Sequence, residues 1–355
     1  MTAVTAAAVI TPNEVLTPGT VEIDGDRIVA VTPGGAGAID VTLAPGFVDL
    51  QVNGIGDVDV ADASGTDWDY LDERLVSQGV TAWCPTLITA PLDAYSAPLA
   101  RIADAAARVG DGPAILGVHL EGPFLGGAPG AHPVDLIRPF DPVWLDALPP
   151  VVRLITLAPE LDGAAAVIAT LVRRGVVVSL GHSTATYEQT LAGVAAGARL
   201  VTHCFNGMGP LHHREPGLLG AALTDPHLAV GLIADLVHAH PAALALAFAA
   251  KGASGVALVT DAVAWLRPID DAPRLADGTL AGSCLAMDDA VANVVHAAGV
   301  PVADAIRAAS TTPADVMNAA DRGRIAVGAR ADLVALDANL DAVTTWIGGR
   351  VVYER

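Results

Sequence analysis

The chain has 355 residues, 52% hydrophobic and 4% aromatic, enough apolar material for one large barrel or two ordinary domains. Lys and Arg number 19 against 39 Asp and Glu, a formal charge of −20 that argues against nucleic acid or an anionic membrane as partner. Any anionic substrate therefore has to be held by a local positive site working against the global field.

The N-terminal MTAVTAAAVITPNE lacks the basic region and cleavage context of a signal peptide. Apolar stretches such as AALALAFAA are shorter than a membrane span requires. Cys84, Cys204 and Cys284 lie far apart with no CxxC pair, which suits a reducing, cytoplasmic setting. All three read as small buried hydrophobes, and strand alternation points Cys204 away from its neighbour His203.

Residues 1–44 hold short strands, with a DG turn inside VEIDGDRIVAVTP. From residue 45 to residue 322, strand-like runs alternate with alanine-rich helical patterns such as DWDYLDERLVSQG and EQTLAGVAAG. The strands are GFVDLQVNG, VTAWCPTL, AILGVHLE, VRLITLAP, VVVSLGHS, LVTHCFN, AVGLIADLVH and GVALVTDA. Eight such units predict a (β/α)8 TIM barrel. Residues 323–355 return to short strands, so the two chain ends are expected to pair into one small β-sandwich domain beside the barrel.

Polar residues gather at the ends of these runs. Gln51 and Asn53, Glu121, His182, His203, His238 and Asp261 lie near the C-terminal ends of six different strands, the face where TIM barrels place their active sites. A packing role explains any one of these histidines and explains the set poorly. Glu121, His182 and His203 make a typical catalytic zinc set with a position left open, although ligand type leaves iron and manganese open. Asp261 would take a proton from the attacking water and return it to a leaving amine. A helix N-cap is its alternative role. His119, two residues before Glu121 on the same side of the strand, would lie a layer deeper and pack or support the ligands.

The stretch LVTHCFNGMGPLHHREPG, Leu200 to Gly217, adds Asn206, His212, His213 and Arg214 just after His203. An arginine fork and main-chain amides suit a phosphate, whereas a salt bridge to Glu215 is the plainer reading of Arg214.

With APGFVDLQVNG, HLEGPFL, GHSTATY, THCFNGMGPLHHREPG, ADLVHAHP, LVTDA and DGTLAGSCLAMD in order along nearly the whole chain, the sequence resembles the N-acetylglucosamine-6-phosphate deacetylase family of the amidohydrolase superfamily. The resemblance implies hydrolysis of the acetamide of an amino-sugar 6-phosphate, with Glu121, His182 and His203 as metal ligands and Asp261 as general base and acid. It assigns His132 to polarising the acetyl carbonyl and His238 to binding the sugar. It gives Asn206, the backbone at Gly207, and Arg214 to the phosphate. The phosphate arginine of this family can come from a neighbouring subunit, which implies a homodimer.

The chain departs from wider superfamily patterns in two ways that favour one divalent metal ion per chain. Gln51-Val52-Asn53 stands where many members carry His-x-His, and the sole lysine, Lys251, is far from the position of a bridging carboxylated lysine. Gly207 replaces a usual alanine, and the segment from Val263 to Ala281 is shorter than the family's, which bears on which sugar fits. N-acetylgalactosamine 6-phosphate or another N-acyl compound is the alternative substrate. A cyclic amidohydrolase should show His-x-His or the lysine. A non-catalytic sugar-phosphate-binding protein should have lost a ligand or the base.

Overall fold

The computed structural model describes residues 1–108, 110–265 and 272–355. Its parallel barrel strands are β1 (Phe47–Val52), β2 (Val80–Leu87), β3 (Val118–Glu121), β4 (Val152–Leu157), β5 (Val177–Leu180), β6 (Leu200–Val201), β7 (Ala229–Ile233) and β8 (Val256–Val259). Each falls within one of the runs read from the sequence. Neighbours pair in chain order from β1 to β8. The ring closes through a parallel bridge between Val52 and Ala262, with Asp261 N donating to Gln51 O at 2.9 Å.

The helices follow from local sequence. In Asp67–Val76 the buried residues Trp68, Leu71 and Leu75 recur at helical spacing and face the barrel. The helix Tyr187–Ala195 starts at a capping box. Thr186 Oγ1 accepts from Gln189 N at 3.2 Å, and Gln189 Oε1 accepts from Thr186 N at 2.8 Å. Pro241 opens Pro241–Lys251 at the first turn, where a missing N–H costs nothing.

Both chain ends share a second, mostly antiparallel sheet. Ile39–Pro45 lies between Thr2–Ile10 and Leu333–Leu336, joining the N-terminal and C-terminal strands. The hairpin Gly19–Asp24 to Arg27–Pro33 turns at Gly25 and Asp26, one residue later than the Asp24-Gly25 signal, because Asp24 still pairs with Arg27. This sheet has its own small core around Val21, Ile28, Leu43 and Leu333. The barrel core is built around Trp83, Phe47, Phe124 and Leu120, all fully buried. Fully burying an apolar side chain of this kind contributes roughly 1.5–3 kcal/mol.

Cys84 and Cys204 are buried in the barrel core, as expected, but Cys284 is exposed. Its neighbour Ser283 turns inward and donates to Thr260 O at 2.5 Å, so alternation sends Cys284 outward. Among the described residues, no helix is long and apolar enough to cross a membrane.

Candidate active site

Glu121 is the last residue of β3, and His182 and His203 each stand two residues past the ends of β5 and β6. Glu121 Oε1 is 3.1 Å from His182 Nε2 and 2.9 Å from His203 Nε2, and the two Nε2 atoms are 3.1 Å apart. Each ring is turned by a backbone carbonyl on its other nitrogen: Ala128 O for His182 Nδ1 and Asn206 O for His203 Nδ1, both at 3.2 Å. Those carbonyls can only accept, so they place one ring proton on each Nδ1, and Nε2 is the atom that either shares a second proton with Glu121 or gives its lone pair to a cation. Two imidazole lone pairs and a carboxylate oxygen therefore converge in a buried space, a donor set that fits a divalent cation.

The backbone makes this convergence. His182, His203 and Asp261 have φ of 48°, 28° and 50°, in the left-handed region that side chains beyond glycine rarely adopt. Each such residue costs on the order of 1–3 kcal/mol unless its surroundings fix it. Ladder-like bonds do so here, including Cys204 N to Gly231 O at 2.7 Å and Ser283 N to Asp261 O at 2.8 Å.

Burial works against charge throughout the cluster. It pulls the His182 imidazole down to about 4. It also opposes the charge on His203, where the hydrogen bond and charge of Glu121 win and push the group up to about 9. Glu121 is disfavoured as an anion by burial, but hydrogen bonds from His132, His182 and His203 hold it well below the usual carboxylate range. Burial, then the charge of Glu121, raises Asp261 to about 6.

Asp261 follows the end of β8, beside the cluster, and caps none of the described helices. Its Oδ1 accepts from Asn53 Nδ2 at 2.8 Å and from Gln51 Nε2 at 3.0 Å. Gln51 Nε2 also donates to Glu121 Oε1 at 3.1 Å. Gln51 and Asn53 thus act as donors to the carboxylates, with their amide nitrogens engaged.

His132 is buried in the loop after β3, with its Nε2 3.7 Å from Glu121 Oε2. Its Nδ1 is held by Thr89, 2.8 Å from Oγ1 and 3.4 Å from N, which leaves Nε2 facing the cluster. Glu121, His132 and His182 also form a metal-sized group in their own right. Nothing in the composition of the GAH loop signals this burial. His119 lies deeper in the barrel, bonded to Thr156 Oγ1 at 2.7 Å and Leu50 O at 3.2 Å.

A cavity of about 770 Å³ opens over the cluster, lined by Asn53, Asn206, Gly207, His238 and Asp261 among others. Asn53 Oδ1 and Asn206 Nδ2 are buried there without a hydrogen-bond partner among the described residues. His238 Nδ1 donates to Asp235 Oδ2 at 2.7 Å, a partner the sequence reading missed. Gly207 has φ of +58°, and a Cβ there would stand 2.9 Å from His182 Nδ1. An alanine here would press on a cluster histidine in this geometry.

Arg214 does not line the cavity of its own chain. It is exposed, as are Leu211 to Glu215, and its Nη1 donates to His213 Nε2 at 2.8 Å. His212 stacks near His213, with ring centroids 4.5 Å apart, and neither ring reaches the cavity. Of the segment Val263 to Ala281, expected from the sequence to be shorter than the family's, residues 266–271 lie outside the described residues.

A buried Glu/His/His cluster and a neighbouring carboxylate at the C-terminal mouth of a (β/α)8 barrel define a metal-dependent hydrolase site. The chain belongs to the amidohydrolase family, whose match spans residues 42–352. It is 41% identical to the N-acetylgalactosamine-6-phosphate deacetylase of Escherichia coli O157:H7, covering 87% of each chain. It is 39% identical to the N-acetylglucosamine-6-phosphate deacetylase of Bos taurus, covering 88% of this chain and 83% of that one. The crystal structure of N-acetylglucosamine-6-phosphate deacetylase from Thermotoga maritima superposes with a TM-score of 0.93 at 34% identity, covering 100% of both chains.

Proposed function

We propose that this protein hydrolyses the acetamide of N-acetyl-D-glucosamine 6-phosphate, releasing glucosamine 6-phosphate and acetate. The observation that carries this reading is the meeting of three lone-pair ligands with Asp261 beneath a cavity lined by Asn206, Gly207 and His238. The similarity to deacetylases of N-acetylhexosamine 6-phosphates supplies the substrate class.

Glu121, His182 and His203 would hold one divalent ion, with zinc favoured by the ligand types. Such an ion, when bound, acidifies water and polarises a carbonyl oxygen. The protein's own part is proton handling and positioning. Asp261 takes the proton of the attacking water and later gives it to the departing amine, as the carbonyl carbon gains an oxygen and the C–N bond breaks. His132 offers its Nε2 proton to the acetyl oxygen. Asn206, the backbone at Gly207, and His238 hold the sugar phosphate.

Arg214, exposed and outside its own cavity, serves the phosphate of a second copy, so the working form is a homodimer. Residues 1–44 with 323–355 form the supporting unit, and 45–322 the catalytic barrel. Three far-apart thiols favour a cytoplasmic setting.

N-acetylgalactosamine 6-phosphate is the second reading, because a relative named for that substrate is as similar as those named for the glucose epimer. The test is acetate release from a panel of N-acetylhexosamine 6-phosphates by metal-loaded protein beside its Asp261→Asn variant. Turnover of the gluco compound abolished in the variant supports the proposal. Tight binding of the sugar phosphates with no turnover by the parent would make the protein a binding module.

A further inference from the structure

Asp49 is an ionisable group inside the barrel to which the proposed chemistry gives no part. It stands on β1, two residues before Gln51, and is 1% exposed. Its carboxyl gathers donors from both sides of the seam where the barrel closes. Oδ2 accepts from Thr260 Oγ1 at 2.6 Å, and Oδ1 accepts from Gln51 N at 3.1 Å and from Thr260 N at 3.3 Å. Burial pushes the group up to about 7 against these hydrogen bonds, so its charge is held there at a cost.

The seam is the weak edge of the ring. Among the described residues, β8 and β1 meet through the isolated bridge between Val52 and Ala262 and share no ladder. Asp261 lies at this seam with φ of 50°, a conformation that its surroundings must impose. Thr260, just before it, is held at every polar atom. Its N and Oγ1 donate to Asp49, and its O accepts from Ser283 Oγ at 2.5 Å. With its proton on Asp49, Thr260 Oγ1 accepts from Ala262 N at 3.2 Å, on the far side of Asp261. The Asp49–Thr260 pair therefore grips the chain before and after Asp261. The same carboxyl, through Gln51 N, steadies the strand end whose Gln51 and Asn53 amides donate to Asp261 Oδ1.

We propose that Asp49 is a positioning residue for the reaction: through Thr260 it sets the carboxylate of Asp261 in the strained backbone from which that group meets the Gln51 and Asn53 amides. This rests on the reading of Asp261 as the base given above. Asp49 does not line the cavity, so its effect reaches the substrate through Asp261.

The experiment compares the parent with Asp49→Ala, Asp49→Asn and Thr260→Val. The readouts are kcat and KM on N-acetylglucosamine 6-phosphate, calorimetric binding of glucosamine 6-phosphate, zinc content, and the position of Asp261 in crystal structures. A reacting group displaced by about 1 Å can cost about 100-fold in rate, so kcat in Asp49→Ala should fall about 10- to 100-fold. KM, product binding and zinc content should not change. Thr260→Val, close in shape, should lower kcat about tenfold, and adding it to Asp49→Ala should bring little further loss, because both act through one hydrogen bond. Asp49→Asn should recover most of kcat. Its Oδ1 still accepts two N–H groups, and its amide can donate to Thr260 Oγ1 while that hydroxyl turns to Gln51 O, 3.4 Å away.

If Asp49→Ala does not fold, Thr260→Val carries the test. Full kcat in either variant would overturn the proposal, as would parallel losses of kcat, zinc and product binding, which mark Asp49 as a brace of the whole seam. A parent that binds glucosamine 6-phosphate but releases no acetate defeats the deacetylase reading, and the crystal structures still decide the role of Asp49. An Asp261 carboxylate displaced from the Gln51 and Asn53 amides in Thr260→Val supports it, and an unmoved carboxylate overturns it.

Discussion

Gln51 donates its side-chain amide to Asp261 Oδ1 at 3.0 Å, and the same nitrogen reaches Glu121 Oε1 at 3.1 Å. One NH2 group has two hydrogens, so it can serve both carboxylates. It occupies the space between them, where a second cation would otherwise be needed to relieve their repulsion. This gives a physical reason for a one-metal site that the weakness of amide ligands alone does not.

Replacing this bridge tests it. Gln51→Leu keeps the bulk and removes both donations, each to a charged group and worth roughly 1.5–3 kcal/mol. The expected result is a fall in kcat/KM of about 100-fold, with the acid limb of the pH profile moving upward, because Asp261 loses a bond to its charged form. Wild-type kinetics in this variant would show that the bridge is idle.

The pH profile of the parent follows from Asp261. Burial and the charge of Glu121 raise its carboxyl to about 6, so the fold favours the protonated form of a group that must act as a base. Activity should therefore be full above that value and fall as pH drops through about 6. Steady-state rates between acid and neutral pH check this, and a flat profile across that range would remove Asp261 from the proton transfers.

Asp235 holds His238 by its Nδ1 and also accepts from the backbone N–H groups of Val237 and His238 at 2.9 and 2.8 Å. Asp235→Ala should release the ring and raise KM for the sugar phosphate about tenfold while leaving metal content unchanged. Asp235→Asn keeps an acceptor for Nδ1 and should restore most of the affinity. If both variants lose kcat and metal together, Asp235 supports the barrel mouth at large.

Arg214 lies outside its own cavity, so its effect should depend on assembly. Arg214→Ala should cut the preference for phosphorylated over unphosphorylated sugar by about 10- to 100-fold. Mixing it with an Asp261→Asn chain should restore part of the activity, since an intact Arg214 then faces an intact base across the pair. No recovery from a demonstrably mixed dimer would place the function of Arg214 within one chain.

The barrel is legible in the sequence because its strands are apolar runs of strand length separated by helical patterns, and all of these runs form strands. Glu121, His182, His203 and Asp261 are legible for a related reason: ionisable residues just past buried strands have one common face to occupy. What cannot be read is the backbone that turns them. Positive φ at His182, His203 and Asp261 leaves no mark in residue type. The carbonyls of Ala128 and Asn206 that orient the rings are likewise silent in sequence. Asp235 and Thr89 escape notice because aspartate and threonine in loops are ordinary. Cys284 defeats the buried-thiol expectation because the return segment has one face in the barrel and one outside.

The most direct test is a titration of metal-stripped protein with zinc while acetate release from N-acetylglucosamine 6-phosphate is followed. One site of two histidines and one carboxylate per chain predicts activity that rises linearly and reaches its plateau at about one zinc per chain. A plateau at two zinc ions per chain would contradict the single-metal site bridged by Gln51, and no acetate at any ratio would contradict the deacetylase itself.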